Sequence, residues 1–260
     1  MPTLAAMLLA IDVGNTNVVA GVFDGDQLVA DYRVHTDDRW TSDELGLLLV
    51  QLLEQRDITP SMVSAVAVCS VVPTLARTLD DLSLRYFEQR PMVVGPGVRT
   101  GIRIQYDDPR QVGADRIANA VAARQQYGAP AIMVDFGTAT TLDAIDAAGD
   151  YVGGAIAPGI QISHDALVNH AARLIRVELV APESAIGHTT AHAMQAGLVF
   201  GYVGLVQELV RRIRAELGGN ATVIATGGLA APMARLIDAI DVVDERLTLT
   251  GLRLIHELNI

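Results

Sequence analysis

The chain has 260 residues, half of them hydrophobic and only 4% aromatic, with a formal net charge of −11; that length allows one or two domains around an aliphatic core. Every basic side chain other than histidine is arginine, so a Walker-type phosphate loop, which needs lysine, is excluded, and no basic face of the kind a nucleic-acid binder shows is visible. The single cysteine, Cys69, excludes an intrachain disulfide and fits a reducing cytoplasm; inside an apolar run it reads as a small buried strand residue.

Met1 to Ile11 is apolar but lacks a basic residue and is cut short by Asp12, a poor signal peptide. Met1 to Ala6 reads as an extension before the first strand, and no apolar stretch reaches membrane-spanning length. Strands are predicted over Leu8 to Val13, Asn17 to Phe23 and Leu28 to His35, with Asp24-Gly25-Asp26 as a hairpin turn between the last two. A capping box of Thr41 and Glu44 opens a helix whose Leu45, Leu48, Leu49, Leu52 and Leu53 share one face. Ala65 to Val72 is a buried strand, Thr74 to Phe87 a helix, and Met92-Val93-Val94 a short strand. Gly101 to Tyr106 alternates as a half-buried strand would, and Gly113-Ala114-Asp115-Arg116 opens a helix to about Tyr127.

A second strand group follows: Ala131 to Asp135, Thr140 to Ile145 and Tyr151 to Ile156. The order strand, Asp-x-Gly, strand, turn, strand therefore occurs twice, a weak internal repeat. A long helix over Thr190 to Leu217 carries Gly197, Gly201 and Gly204, which permit close packing or mild bends; its Arg211-Arg212-Ile213-Arg214 cluster reads as a solvated face. Thr222 to Ala225 is a strand, and helices are expected over Leu229 to Ile240 and Leu249 to Leu258. With no Ser- or Pro-rich linker, the lobe boundary is placed at the helix that begins at Asp115, giving lobes 7–115 and 116–260.

Two turns carry the chemistry. Asp12-Val13-Gly14-Asn15-Thr16 and Asp135-Phe136-Gly137-Thr138 each follow an apolar strand. Each ends that strand in an Asp, then a tight glycine turn, then a hydroxyl. One such turn is common, and its Asp can simply cap the turn. Two at this separation, facing one another, would hold a nucleotide triphosphate and its Mg²⁺ between similar lobes. Thr226-Gly227-Gly228, after a late strand, fits an adenosine site, although alone it would read as a helix entry. An acidic chain that binds phosphate needs backbone N–H groups, arginine or a bound cation beside it.

Asp115 is the candidate base. It stands in the first turn of a helix, where the dipole lowers a carboxylate pKa, with Gly113 and Arg116 beside it. Phosphoryl transfer to an alcohol needs such a proton acceptor. His188 and His192 are one helical turn apart, but no third ligand is marked out, so the histidines, with His164 and His170, read as solvent-facing or capping.

These segments resemble the type III pantothenate kinases. Asp12-Val13-Gly14-Asn15-Thr16-Asn17 is similar to the family's first phosphate motif, Tyr106 to Arg116 to its substrate and catalytic segment, and Asp135 to Thr141 to its second phosphate motif. Cys69 to Pro73, Gly154 to Gly159 and Ala225 to Leu229 match in the same order, so the resemblance runs from Met7 onward. It implies an α/β fold of two ribonuclease H-like lobes, of the acetate and sugar kinase, heat-shock chaperone and actin superfamily. It implies transfer of the ATP γ-phosphate to the primary hydroxyl of pantothenate, the first step toward coenzyme A. The residues it points to are Asp12, Val13, Gly14, Asn15, Thr16, Asn17, Val18, Val19 and Thr138 for ATP. Tyr106, Gly113, Ala114, Asp115, Arg116 and Thr190 are implied for pantothenate, Asp115 as proton acceptor, and Asp135 for a monovalent cation, K⁺ or NH₄⁺. The implied assembly is a cytoplasmic homodimer, with no nucleic-acid or membrane partner. His188 and Thr189 depart from the basic residue and Asn that the family places before the threonine matched by Thr190.

Two other readings keep the fold: a kinase for a different small alcohol, and a nucleotide-binding regulator. The Tyr106 to Arg116 segment speaks against the first. A base poised for an acceptor hydroxyl, retained beside Asp12 and Asp135, speaks against the second.

Overall fold

In the computed structural model the described residues are 6–260, so the expected N-terminal extension falls mainly on residues 1–5, outside them. The chain forms two compact units, one of the residues up to Ala122 together with Arg246–Ile260, the other of Ala123–Glu245.

The first unit is built on a five-stranded sheet, order β3-β2-β1-β4-β5. Its strands are β1 (Met7–Val13), β2 (Asn17–Asp24), β3 (Gln27–His35), β4 (Val63–Ser70) and β5 (Met92–Val93). β1 runs antiparallel to β2 and parallel to β4, with Asp12 in register with Cys69. Alternate residues of β1 (Leu9, Ile11 and Val13) face a core that includes Leu45, Leu49 and Leu53 of α1 (Ser42–Glu54) and Leu79, Leu82 and Phe87 of α2 (Ala76–Phe87). The expected capping box opens α1: the Glu44 N–H donates to Thr41 Oγ1, and the Thr41 N–H to Glu44 Oε2.

The second unit repeats this plan, order β10-β9-β6-β7-β8. Along the chain come α3 (Ala114–Tyr127), β6 (Ala131–Phe136), β7 (Ala139–Ile145), β8 (Tyr151–Pro158), α4 (Ile160–His170) and α5 (Thr190–Gln195). After these follow α6 (Gly201–Glu216), β9 (Thr222–Thr226), α7 (Ala230–Ala234), β10 (Val242–Val243) and α8 (Leu247–Glu257). β6 is antiparallel to β7 and parallel to β9, with Asp135 in register with Thr226. Ile132, Val134 and Phe136 pack with Val199, Tyr202, Val206 and Val210. The internal repeat expected from two Asp-x-Gly turns is thus realised as two sheets of the same strand order.

The lobe limits of 7–115 and 116–260 are corrected on two counts. The division falls inside α3, after Ala122, and α8 returns to the first unit. The buried side of α8 (Leu249, Leu252, Ile255) packs on β1 and β4, and its Thr248 hydroxyl donates to Asn119 Oδ1 at 2.8 Å.

Other local expectations also change. Gly101 to Tyr106 is irregular, with a single bridge residue at Ile104. α7 ends at Ala234 instead of reaching Ile240. The expected long helix is continuous through a π-helical turn at Ala196–Phe200. Thr190–Glu216 is, by length and composition, long and apolar enough to cross a membrane, contrary to the sequence reading; one side of it is built into the core of the second unit.

Candidate active site

The first phosphate turn lies between β1 and β2. Gly14 N–H closes it on the Asn17 carbonyl at 2.9 Å. Thr36, just past β3, braces it twice: its hydroxyl donates to the Gly14 carbonyl at 2.8 Å and its N–H to the Thr16 carbonyl at 2.9 Å. Asn15 and Thr16 are left exposed at the tip, and Asn17 and Val19 are half-buried. Val13 and Val18 belong to the core and can reach a ligand only through their backbone. Thr36 was not singled out from the sequence; a hydroxyl directly after the third strand is the signal that marks it.

Asp12 is the penultimate residue of β1, beside this turn. Cys69, its register partner on β4, donates S–H to Asp12 Oδ1 at 3.1 Å. Asp12 keeps part of its surface open, yet its carboxyl is packed tightly enough that burial pushes its pKa up to about 7. The Cys69 hydrogen bond opposes this rise, Asp115 adds to it, and Arg33 opposes it. Burial also holds the Cys69 thiol well above its ordinary range, so it is a neutral donor here.

Asp115 is the second residue of α3. Its Oδ1 accepts the Arg116 N–H at 2.8 Å, and Arg116 itself is buried. A Cβ at position 113 would stand 2.5 Å from that oxygen, so glycine leaves the carboxylate its place. The expectation that the helix start lowers the Asp115 pKa is corrected: burial raises it, and the Arg116 N–H and charge offset the rise only in part. Both carboxyls therefore have raised pKa values, and the Asp115 charge contributes to the rise at Asp12.

The second turn lies between β6 and β7. Gly137 N–H closes on the Ala139 carbonyl at 3.1 Å, and Gly159 N–H, leading into α4, donates to the Thr138 carbonyl at 3.2 Å. Gly137 and Thr138 are exposed. Gly227 follows β9 with φ of +90°, and a Cβ there would stand 2.4 Å from Asp135 Oδ1 and 2.8 Å from the Phe136 backbone. Asp135 and the Thr226-Gly227 corner are therefore brought together, and Gly227 is the residue that lets backbone lie against the Asp135 carboxylate.

The remaining predicted residues lie outside the two turns in the chain. Tyr106 is 37% exposed, on the irregular segment before α3. Thr190 opens α5, where the Thr189 hydroxyl accepts the His192 N–H at 3.2 Å, and it lines an open apolar recess of about 400 Å³ with Leu167, Leu174, Met194 and Leu198. His188, His192 and His170 are exposed. His164 is not: it is 2% exposed, its Nε2 accepts the Val177 N–H at 3.1 Å, and its Nδ1 faces Asp165 at 3.3 Å. Among the described residues no group of three or more His, Cys, Asp or Glu could hold a metal ion.

A family model described as type III pantothenate kinase matches residues 8–212. A type III pantothenate kinase of Myxococcus xanthus (strain DK1622) is 55% identical over 253 residues, covering 97% of this chain and 99% of that one. Among solved structures, a conserved protein from Campylobacter jejuni, provisionally named a Baf family transcriptional activator, superposes with a TM-score of 0.62 at 21% identity, covering 96% and 98% of the two chains. The inorganic polyphosphate/ATP-glucomannokinase of Arthrobacter sp. strain KM does so with a TM-score of 0.52 at 16% identity, covering 98% and 100%. At such identities the structural likenesses speak for the fold alone.

Proposed function

The chain belongs to the type III pantothenate kinase family, and from that premise we propose how its residues perform the reaction. The activity is ATP-dependent phosphorylation of pantothenate, giving 4′-phosphopantothenate at the entry to coenzyme A biosynthesis. The observation that carries the assignment of roles is Asp115, a carboxylate fixed by the Arg116 N–H with its pKa raised by burial.

Asp115 accepts the proton of the pantothenate primary hydroxyl as that oxygen attacks the γ-phosphorus and the bond to the β-phosphate oxygen breaks. A raised pKa favours this step, because a carboxylate of ordinary acidity is a poor base. Arg116, with Tyr106, Gly113, Ala114 and Thr190, holds pantothenate. The Asp12 to Val19 segment and Thr138 bind ATP, chiefly through turn N–H groups, as suits a chain without lysine. A divalent ion would be held mainly by the ATP phosphates and water, consistent with the lack of a three-residue metal cluster among the described residues. Asp135, a single carboxylate against the backbone of Phe136 and Gly227, fits a cation of low charge, K⁺ or NH₄⁺. A cytoplasmic homodimer without nucleic-acid or membrane partners completes the reading, on the family resemblance.

The test is ADP release with ATP, Mg²⁺ and pantothenate, K⁺ being exchanged for Na⁺, beside Asp115→Asn. Turnover should require pantothenate and K⁺, and fall by about 10²- to 10⁴-fold in the variant. A folded, ATP-binding protein without pantothenate-dependent turnover refutes the acceptor, and an active Asp115→Asn refutes the base.

A further inference from the structure

One buried tyrosine ties the second phosphate turn from behind. Directly before α6 the helix widens into the π-helical turn Ala196–Phe200. Such a turn takes up one extra residue and so turns everything after it by about 100° around the axis. The face it presents carries Tyr202, 6% exposed, onto the sheet of the second unit. The Tyr202 hydroxyl is hydrogen-bonded to the Thr140 hydroxyl of β7. Its ring lies against Phe136, centroids 6.2 Å apart and tilted by 55°.

These partners surround the turn. Phe136 and Thr140 are cross-strand partners, and residues 137–139 are the turn they enclose. From the other side Gly159, the N-cap of α4, donates its N–H to the Thr138 carbonyl. One side chain thus touches both shoulders of the turn. Burial raises its pKa and the Asp135 charge adds to the rise, so it remains a neutral hydroxyl. Packing does not require that hydroxyl, since phenylalanine would fill nearly the same volume; a buried O–H is tolerated because it is bonded.

We propose that Tyr202 is a positioning residue for the donor-phosphate turn, its hydroxyl setting the geometry of residues 136–139, and through it the affinity for ATP, while touching neither substrate. The inference rests on the ATP role given above to Thr138.

The experiment is steady-state kinetics with each substrate varied, together with direct calorimetric titration of ATP. Tyr202→Phe should raise the KM and Kd for ATP about fivefold, the effect of one lost hydrogen bond, and leave the KM for pantothenate within about twofold. Thr140→Val should reproduce this, Thr140→Ser should keep the wild-type value, and the double variant Tyr202→Phe/Thr140→Val should be no worse than either single one. The Thr140 pair reads the same bond from its other end if Tyr202→Phe fails to fold. An unchanged Kd for ATP in both Tyr202→Phe and Thr140→Val overturns the inference, as does an equal rise in both KM values alongside a fall in Tm. Absence of pantothenate-dependent turnover in the wild type would count against the kinase reading instead, while the ATP titration would still decide the role of Tyr202.

Discussion

Replacing Asp12 by Asn removes a charge that the fold holds against its own stability. Burial raises the Asp12 carboxyl from an ordinary 3.8 to about 7, the Cys69 bond and Arg33 pulling against the rise and Asp115 with it. An acid whose folded pKa lies above its unfolded one binds more protons when folded, so its effect on stability depends on pH. The penalty is absent below about pH 4, grows as the pH rises, and is complete above about pH 7. At about 1.4 kcal/mol for each tenfold change in the protonation equilibrium, the full penalty is about 4 kcal/mol. This is an upper limit, because Asp12 keeps part of its surface in water. Asparagine has the same shape, carries no charge, and still offers Oδ1 to the Cys69 S–H. Urea unfolding of the ligand-free proteins should show Asp12→Asn gaining about 2–4 kcal/mol over the wild type between about pH 4 and pH 8. Any constant offset from the new amide cancels in that difference. ATP turnover should fall in the same variant, a trade of function for stability. A stability gap identical at both pH values would refute the buried-charge argument.

Two further perturbations test the corner at Asp135 and the place of the last helix. Gly227→Ala puts a Cβ 2.4 Å from Asp135 Oδ1 at a φ of +90°; it should cost about 1–3 kcal/mol and reduce turnover, and a variant with wild-type Tm and wild-type KM for ATP would contradict the close approach. Leu252→Ala empties a fully buried site on α8 and should cost about 2–5 kcal/mol. The chain has one tryptophan, Trp40, in the first unit, so its fluorescence should follow the earlier transition; an unmoved Trp40 transition would place α8 elsewhere.

The parts of the fold that were legible in the sequence are those fixed by local chemistry. Apolar strands ending in Asp12-Val13-Gly14 and Asp135-Phe136-Gly137 announce their turns, and Thr41 with Glu44 announces α1. α4 was missed because it has no side-chain cap, its N-cap being Gly159, and its apolar residues make no clean stripe. The burial of His164, expected as solvent-facing or capping, is not legible because its partner, the Val177 N–H, lies 13 positions on in a segment without regular structure. The return of α8 to the first sheet is a long-range packing choice that spacing cannot encode. The motif marks Asp115 as a candidate, but the direction of its pKa shift is not legible, because a helix start can be read from sequence and burial of the carboxyl cannot. Tyr202 left a faint signal: one of few aromatics, between Gly201 and Gly204 in a long helix.

The two units show why a repeated fold need not repeat its chemistry. Each sheet carries an aspartate as the penultimate residue of its central strand, and in each the parallel neighbour places a small polar residue in register with it, Cys69 for Asp12 and Thr226 for Asp135. The divergence begins in the next residues. After β4 the chain stays on the sheet, Val71 N–H donating to the Val13 carbonyl at 3.0 Å before Pro73 turns it into a 3₁₀ helix. Asp12 is left in tight packing, within electrostatic reach of Asp115, and its pKa climbs. After β9 the chain breaks at Gly227 and lays bare backbone against Asp135. The same slot thus holds a carboxyl of raised pKa in one unit and a carboxylate set against the Gly227 backbone in the other. Proton transfer and cation binding, as proposed here, follow from what succeeds the register partner, not from the strands that the two sheets share.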